Sequence, residues 1–145
     1  MKTEKSTEEQ CFELLERTVR RYKKFIQGEF SKRGIELSGE QWSVIQQVYE
    51  KPGISQTEIA ESIYKDPASI TRMIDLLEKK ELLVRGSIKD DRRAFSISLT
   101  NEGLKYVEEI LPLTSEMRKF GMRSLSATEL AAFIKVLNRI YDNLE

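Results

Sequence analysis

The chain contains no histidine at all. That absence removes histidine general bases, Ser–His and Cys–His dyads, and histidine-ligated metal sites. A single cysteine, Cys11, can close no internal disulfide and is too few for a thiolate zinc cluster. Cysteine used so sparingly fits a reducing compartment. Only three prolines and seven glycines interrupt 145 residues, so helix breakers are scarce. Neither sign of charge prevails, with 24 Lys and Arg against 24 Asp and Glu. Apolar runs never approach the roughly 18 residues of a membrane span. The opening Met1-Lys-Thr-Glu-Lys-Ser-Thr-Glu-Glu9 has no apolar core of a signal peptide. These absences predict a cytoplasmic, helix-rich protein that is not an enzyme and carries no metal or cofactor.

What is present is strongly periodic. Ser6, Ser38, Ser55 and Ser126 are each followed three residues later by Glu or Gln and then by an apolar run, which is the spacing of a capping box. The first helix is expected from about Thr7 to Lys32, with Phe12, Leu15, Val19, Tyr22, Ile26 and Phe30 on one face. Gly34 ends it as a left-handed C-cap. A second helix covers about Gly39 to Glu50, and Lys51-Pro52-Gly53 breaks it. A short third helix runs from Gln56 to Ile63, followed by a turn at Tyr64-Lys65. Asp66 then caps a fourth helix with Pro67 in its first position. Ile70, Met73, Ile74 and Leu77 form its inward face, leaving Ala68, Ser69, Thr71, Arg72 and Asp75 outward.

The period then changes to two. Phe95, Ile97 and Leu99 alternate with Ser96 and Ser98, which predicts a β-hairpin over about Leu83 to Thr100 with a charged tip. Helical spacing returns at Leu104, Val107 and Leu111, and Pro112 is expected to bend or interrupt that helix. A last helix starts near Ala127, with Leu130, Phe133, Leu137, Ile140 and Leu144 on one stripe.

The order of three helices, a tight turn, a fourth helix and a hairpin is that of a winged helix-turn-helix. In that arrangement a short helix props a second into the major groove, and a basic hairpin reaches the neighbouring backbone or minor groove. From Lys65 to Arg93 eight cations face six anions, a small surplus. Position carries more than the sum, because Arg85, Lys89, Arg92 and Arg93 cluster on the hairpin.

Five segments together resemble the MarR family of bacterial transcriptional regulators. They are Gln41-Trp-Ser-Val-Ile45, Ile54-Ser-Gln-Thr-Glu-Ile-Ala-Glu-Ser-Ile63, Ala68-Ser-Ile-Thr-Arg-Met-Ile-Asp-Leu-Leu-Glu-Lys-Lys80, Asp90-Asp-Arg-Arg-Ala94 and Ser98-Leu-Thr-Asn-Glu-Gly103. The resemblance implies a mainly α fold with a small β-hairpin wing. Residues 35–100 would form the winged helix-turn-helix, and residues 1–34 and 101–145 a helical dimerisation region. It implies a homodimer on a palindromic double-stranded DNA operator, with half-sites about 34–36 Å apart. The apolar stripes at both ends of the chain agree, being longer than a small winged domain can cover.

On this reading Ser55, Gln56, Ala68, Ser69, Thr71 and Arg72 face DNA. Arg72 suits guanine O6 and N7 or a phosphate, and Ser69 and Thr71 suit bases or phosphates. Ser55 and Gln56 sit at a helix N-terminus, which attracts phosphate, although capping alone accounts for Ser55. Lys89, Arg92 and Arg93 belong to the wing, where one arginine would enter the minor groove. The family pattern implies that Asp91 orients the neighbouring arginine. Tyr22, Phe25, Trp42 and Tyr49 could line a pocket for a small anionic or phenolic effector of the kind family members bind, or simply be core. The basic run Arg17, Arg20, Arg21, Lys23 and Lys24 reads as a solvated face.

Cys11 resembles the sensing thiol of a peroxide-responsive branch. Its acidic neighbours Glu8, Glu9 and Glu13 are the opposite of the electropositive setting that activates a thiolate, so a packed or incidental thiol is the expected state. The expected function is an effector-responsive repressor. The alternatives are a thiol-based regulator of the same fold using Cys11, or a winged-helix module for protein contacts alone.

Overall fold

A computed structural model of the chain describes residues 3–63, 65–88 and 91–145, without the side chains at 88 and 91–94. The turn residue Tyr64 and the wing residue Lys89 lie outside the described residues. The elements run α1 (Thr7–Lys32), α2 (Gly39–Glu50), β1 (Ile54–Ser55), α3 (Gln56–Ser62), α4 (Pro67–Lys79), β2 (Leu83–Ile88), β3 (Asp91–Leu99), α5 (Asn101–Gly121) and α6 (Ala127–Asn143). The helices form where the caps predict them. Ser38 and Ser126 complete both halves of a capping box with Gln41 and Glu129. Ser55 completes only one half, accepting the Glu58 N–H at 3.1 Å. The Glu58 carboxylate pairs instead with Lys51 at 2.6 Å.

Among the described residues, α1 and α4 end in Schellman motifs, which satisfy their last carbonyls. After α1, Ile35 N–H donates to Phe30 O and Gly34 N–H to Ser31 O, with Gly34 at φ +69°. After α4, Leu82 N–H donates to Leu77 O and Glu81 N–H to Glu78 O. Here a glutamate, Glu81, takes the left-handed position at φ +60°.

The chain divides into two compact units, residues 1–111 and 112–145, and the division falls inside α5. In the first, the core is built by Ile26 and Phe30 of α1, Trp42, Val44, Ile45 and Val48 of α2, Ile59 of α3, Ile70, Ile74 and Leu77 of α4, and Leu83 and Ile97 of the sheet. Phe30 and Trp42 meet edge to face, with ring centroids 6.2 Å apart. The sheet order is β1-β3-β2, all antiparallel. β1 pairs Ile54 with Ile97 and Ser55 with Ser96. The β2–β3 register runs from Leu83 opposite Leu99 to Ser87 opposite Phe95, then shifts so that Ile88 faces Asp91. Arg92, Arg93 and Ala94 are therefore surplus residues of β3 at that shift.

α5 is not interrupted at Pro112. A proline withholds one N–H and crowds one carbonyl, and the other backbone bonds carry the helix through. In the second unit Thr114 and Met117 are buried. α6 has no buried residue, and it exposes Phe133, Ile134, Val136, Tyr141 and Leu144. No helix among the described residues is long and apolar enough to cross a membrane.

Candidate nucleic-acid interface

α4 buries Ile70, Ile74 and Leu77 and leaves Ala68, Thr71, Arg72 and Asp75 exposed, with Ser69 half-buried. This follows from the i, i+4, i+7 spacing of its apolar side chains. At its start Asp66 Oδ1 accepts the Ser69 N–H at 2.9 Å, and Oδ2 accepts the Ser69 hydroxyl at 2.6 Å. These bonds, the hydroxyl one first, hold the Asp66 carboxyl below the usual carboxylate range. Ser69 Oγ in turn accepts from Arg72 Nη2 at 3.2 Å. The guanidinium of Arg72 is thus laid along the first turn of the helix.

At the start of α3, Ser55 is spent on capping, while Gln56 reaches across to α4 and donates from Nε2 to Thr71 Oγ1 at 3.1 Å. The Thr71 hydroxyl donates to its own Pro67 carbonyl at 2.9 Å. Gln56 and Thr71 therefore form one hydrogen-bonded group and Asp66, Ser69 and Arg72 another, at the N-terminal ends of α3 and α4, while Ser55 bonds the Glu58 N–H.

The sequence places Arg85 in the charged hairpin, but its guanidinium turns inward. Nη1 lies 2.7 Å from Asp75 Oδ1 and 3.3 Å from Glu78 Oε1. Nε donates to Gln56 Oε1 at 2.9 Å, and the guanidinium carbon sits 5.9 Å from the Phe95 ring centroid. Its side chain is only 17% exposed. The signal was in the alternation: Arg85 shares a strand face with Leu83, which is buried, and stands opposite buried Ile97. Asp75 and Glu78, which could have paired with Arg72, are thereby taken by Arg85, while the Asp66 carboxylate stays close enough to act on Arg72.

The wing residues Asp91, Arg92 and Arg93 have a described backbone in β3, but their side chains, like all of Lys89, fall outside the described residues. The four aromatic effector candidates are dispersed in environment. Trp42 is core, Phe25 is half-buried, and Tyr22 and Tyr49 are exposed. A groove of about 500 Å³ lies elsewhere in the first unit, lined by charged residues including Glu36, Lys80, Glu102, Lys105 and Glu109. Cys11 is exposed on α1. Among the described residues no group of carboxylates and thiols could hold a metal ion.

Residues 37–95 match the model of the MarR family. This segment is a MarR-family domain. It spans α2 to the middle of β3, and so contains every residue of the two hydrogen-bonded groups and Arg85. The whole chain also superposes on solved structures. AbsC, a MarR family transcriptional regulator from Streptomyces coelicolor, matches with a TM-score of 0.84 at 19% identity, over 99% of this chain and 98% of that one. The S. aureus MepR–DNA complex matches with a TM-score of 0.83 at 21% identity, over 97% and 99%. A Listeria innocua protein of unknown function is 28% identical, with a TM-score of 0.72 over 94% of each chain. The chain thus has the mainly helical, winged fold of these structures.

Proposed function

We propose that this protein is a cytoplasmic transcriptional regulator that binds double-stranded DNA sequence-specifically through its MarR-family domain. It acts as a homodimer on a palindromic operator, with residues 1–34 and 101–145 as the dimerisation region and residues 35–100 as the DNA-binding domain. The observation that carries the reading is the exposed face of α4. Ala68, Thr71 and Arg72 stand outward next to the N-terminus of α3, and two carboxylates of the same helix, Asp75 and Glu78, are held by Arg85. MepR, whose fold this chain shares, was solved on DNA.

The dimer is supported by α6, whose 17 residues include none that is buried. It is also supported by the exposed Phe12, Leu14, Val19 and Tyr22 of α1. Clustered apolar surface of this kind marks an interaction site. The wing arginines Arg92 and Arg93, with Lys89, supply minor-groove and backbone contacts, and Asp91 orients its neighbour. The regulator is a repressor released when a small anionic or phenolic effector favours another spacing of the two α4 helices, which requires unequal affinity for the two spacings.

The test begins with duplexes selected by the protein from a random-sequence pool. Affinity for the selected duplex should fall by about 10³-fold or more between about 50 and 200 mM salt, as expected for several phosphate contacts. Two chains should bind per duplex. Replacing Arg92 and Arg93 together by Ala should weaken binding without lowering the melting temperature. Failure to enrich any sequence, with equal weak binding to shuffled DNA, would leave a protein-contact module as the better account.

A further inference from the structure

Among the described residues, Arg85 is the most heavily engaged cation of this surface. One guanidinium joins three elements: its own strand β2, the first residue of α3 through Gln56, and α4 through Asp75 and Glu78. Its backbone N–H also donates to Glu78 Oε2 at 3.2 Å. The planar fork of arginine can serve such divergent acceptors at once, which the single ammonium of lysine cannot.

Two consequences follow from the geometry. Gln56 is fixed at both ends of its amide, Oε1 by Arg85 and Nε2 by Thr71, so the start of α3 is tied to the outer face of α4. Asp75 and Glu78, on the helix that meets DNA, stay 53% and 43% exposed in their side chains, and Arg85 offsets their charge. Left unpaired, they would repel phosphate.

We propose that Arg85 is a positioning residue of the DNA interface: its guanidinium fixes the pose of α3 against α4 through Gln56 and offsets Asp75 and Glu78, without itself contacting phosphate. This rests on the reading that the α4 face binds DNA.

The test compares wild type, Arg85→Gln, Arg85→Lys and the triple variant Arg85→Gln/Asp75→Asn/Glu78→Gln. The probes are a duplex selected by the wild type and a shuffled duplex of the same length. Arg85→Gln should bind the selected duplex about 10–100-fold more weakly while keeping the wild-type slope of log affinity against log salt. The triple variant should regain about tenfold of that loss, because the repelling carboxylates are gone. Arg85→Lys should lose selectivity for the selected over the shuffled duplex.

A salt slope lowered by about one per protomer in Arg85→Gln would make Arg85 a phosphate contact and overturn the proposal. So would a triple variant no tighter than Arg85→Gln, or wild-type selectivity in Arg85→Lys. If Arg85→Gln does not fold, judged by its melting curve, Arg85→Lys decides alone by the same selectivity. A wild type that selects no duplex refutes the DNA reading itself and this proposal with it, whereas variant effects refute only the latter.

Discussion

Gly103, in the first turn of α5, stands directly against the carbonyl of Leu82. A β-carbon built on it would lie inside contact distance of the Leu82 oxygen, 3.0 Å from the carbonyl carbon and 3.2 Å from Leu99 Cδ2. The same Leu82 oxygen accepts the Thr100 N–H at 3.1 Å, and Thr100 Oγ1 accepts the Gly103 N–H at 2.9 Å. The Leu-Thr-x-x-Gly motif is therefore a clamp that fastens the end of β3 and the start of α5 to the loop after α4.

Gly103→Ala should destabilise the protein. Alanine gains up to about 1 kcal/mol in helix propensity over glycine. Against this stands a clash with backbone, which cannot swing aside as a flexible side chain could. Overpacking of this kind costs about 1–3 kcal/mol, so the clash should win. Thermal unfolding of the variant beside the wild type checks the sign. An unchanged or raised melting temperature would mean that the loop yields freely.

Glu81 presents the opposite case, a residue where glycine would serve better. It holds the left-handed position of the Schellman motif after α4, at φ +60°. Non-glycine residues pay roughly 1–2 kcal/mol in that region. Glycine escapes this cost but loses more chain entropy on folding. Glu81→Gly should therefore stabilise the fold by about 0.5–1 kcal/mol, the difference between the two effects. Chemical denaturation should move the midpoint upward with the slope unchanged. A lower midpoint would mean that the glutamate side chain contributes more than its backbone costs.

How far the sequence reveals this molecule depends on which forces are local. The boundaries of α1 and α2 follow from cap residues and apolar spacing, and the structure repeats them. The hairpin is legible because period two is a local signal. β1 is not, since two residues carry no periodicity and Ile54-Ser55 become a strand only by pairing with Ile97 and Ser96. Pro112 does not interrupt α5, because proline costs one bond, whereas the continuity of the helix depends on all the others. Thr71 and Arg72 are legible as outward residues of α4, whereas Ser69 is half-buried. The Ser69–Arg72 bond is local to one helical turn, but the Gln56–Thr71 bond and the inward turn of Arg85 arise from tertiary placement between segments separated in sequence by up to 29 residues.

Asp66 offers a pH dependence whose direction follows from its bonds. The carboxylate accepts the Ser69 hydroxyl and N–H, so its pKa in the folded chain lies below the ordinary value of about 3.9. The folded state therefore holds its charge more firmly than the unfolded state does. The resulting stabilisation is fully present above about pH 4 and is lost as the pH falls through the depressed folded value. Asparagine caps helices as well as aspartate does, but carries no charge to titrate or to meet the helix dipole. Asp66→Asn should thus melt somewhat below the wild type at pH 7, and the gap should narrow steadily below pH 4. Other acids depressed in the fold, such as Glu29 beside Arg33 and Lys32, titrate in both proteins and cancel in the difference. Melting curves of the pair from about pH 2.5 to 7 provide the measurement. A gap that stays constant across that range would show that Asp66 is held no more tightly in the folded chain than in the unfolded one.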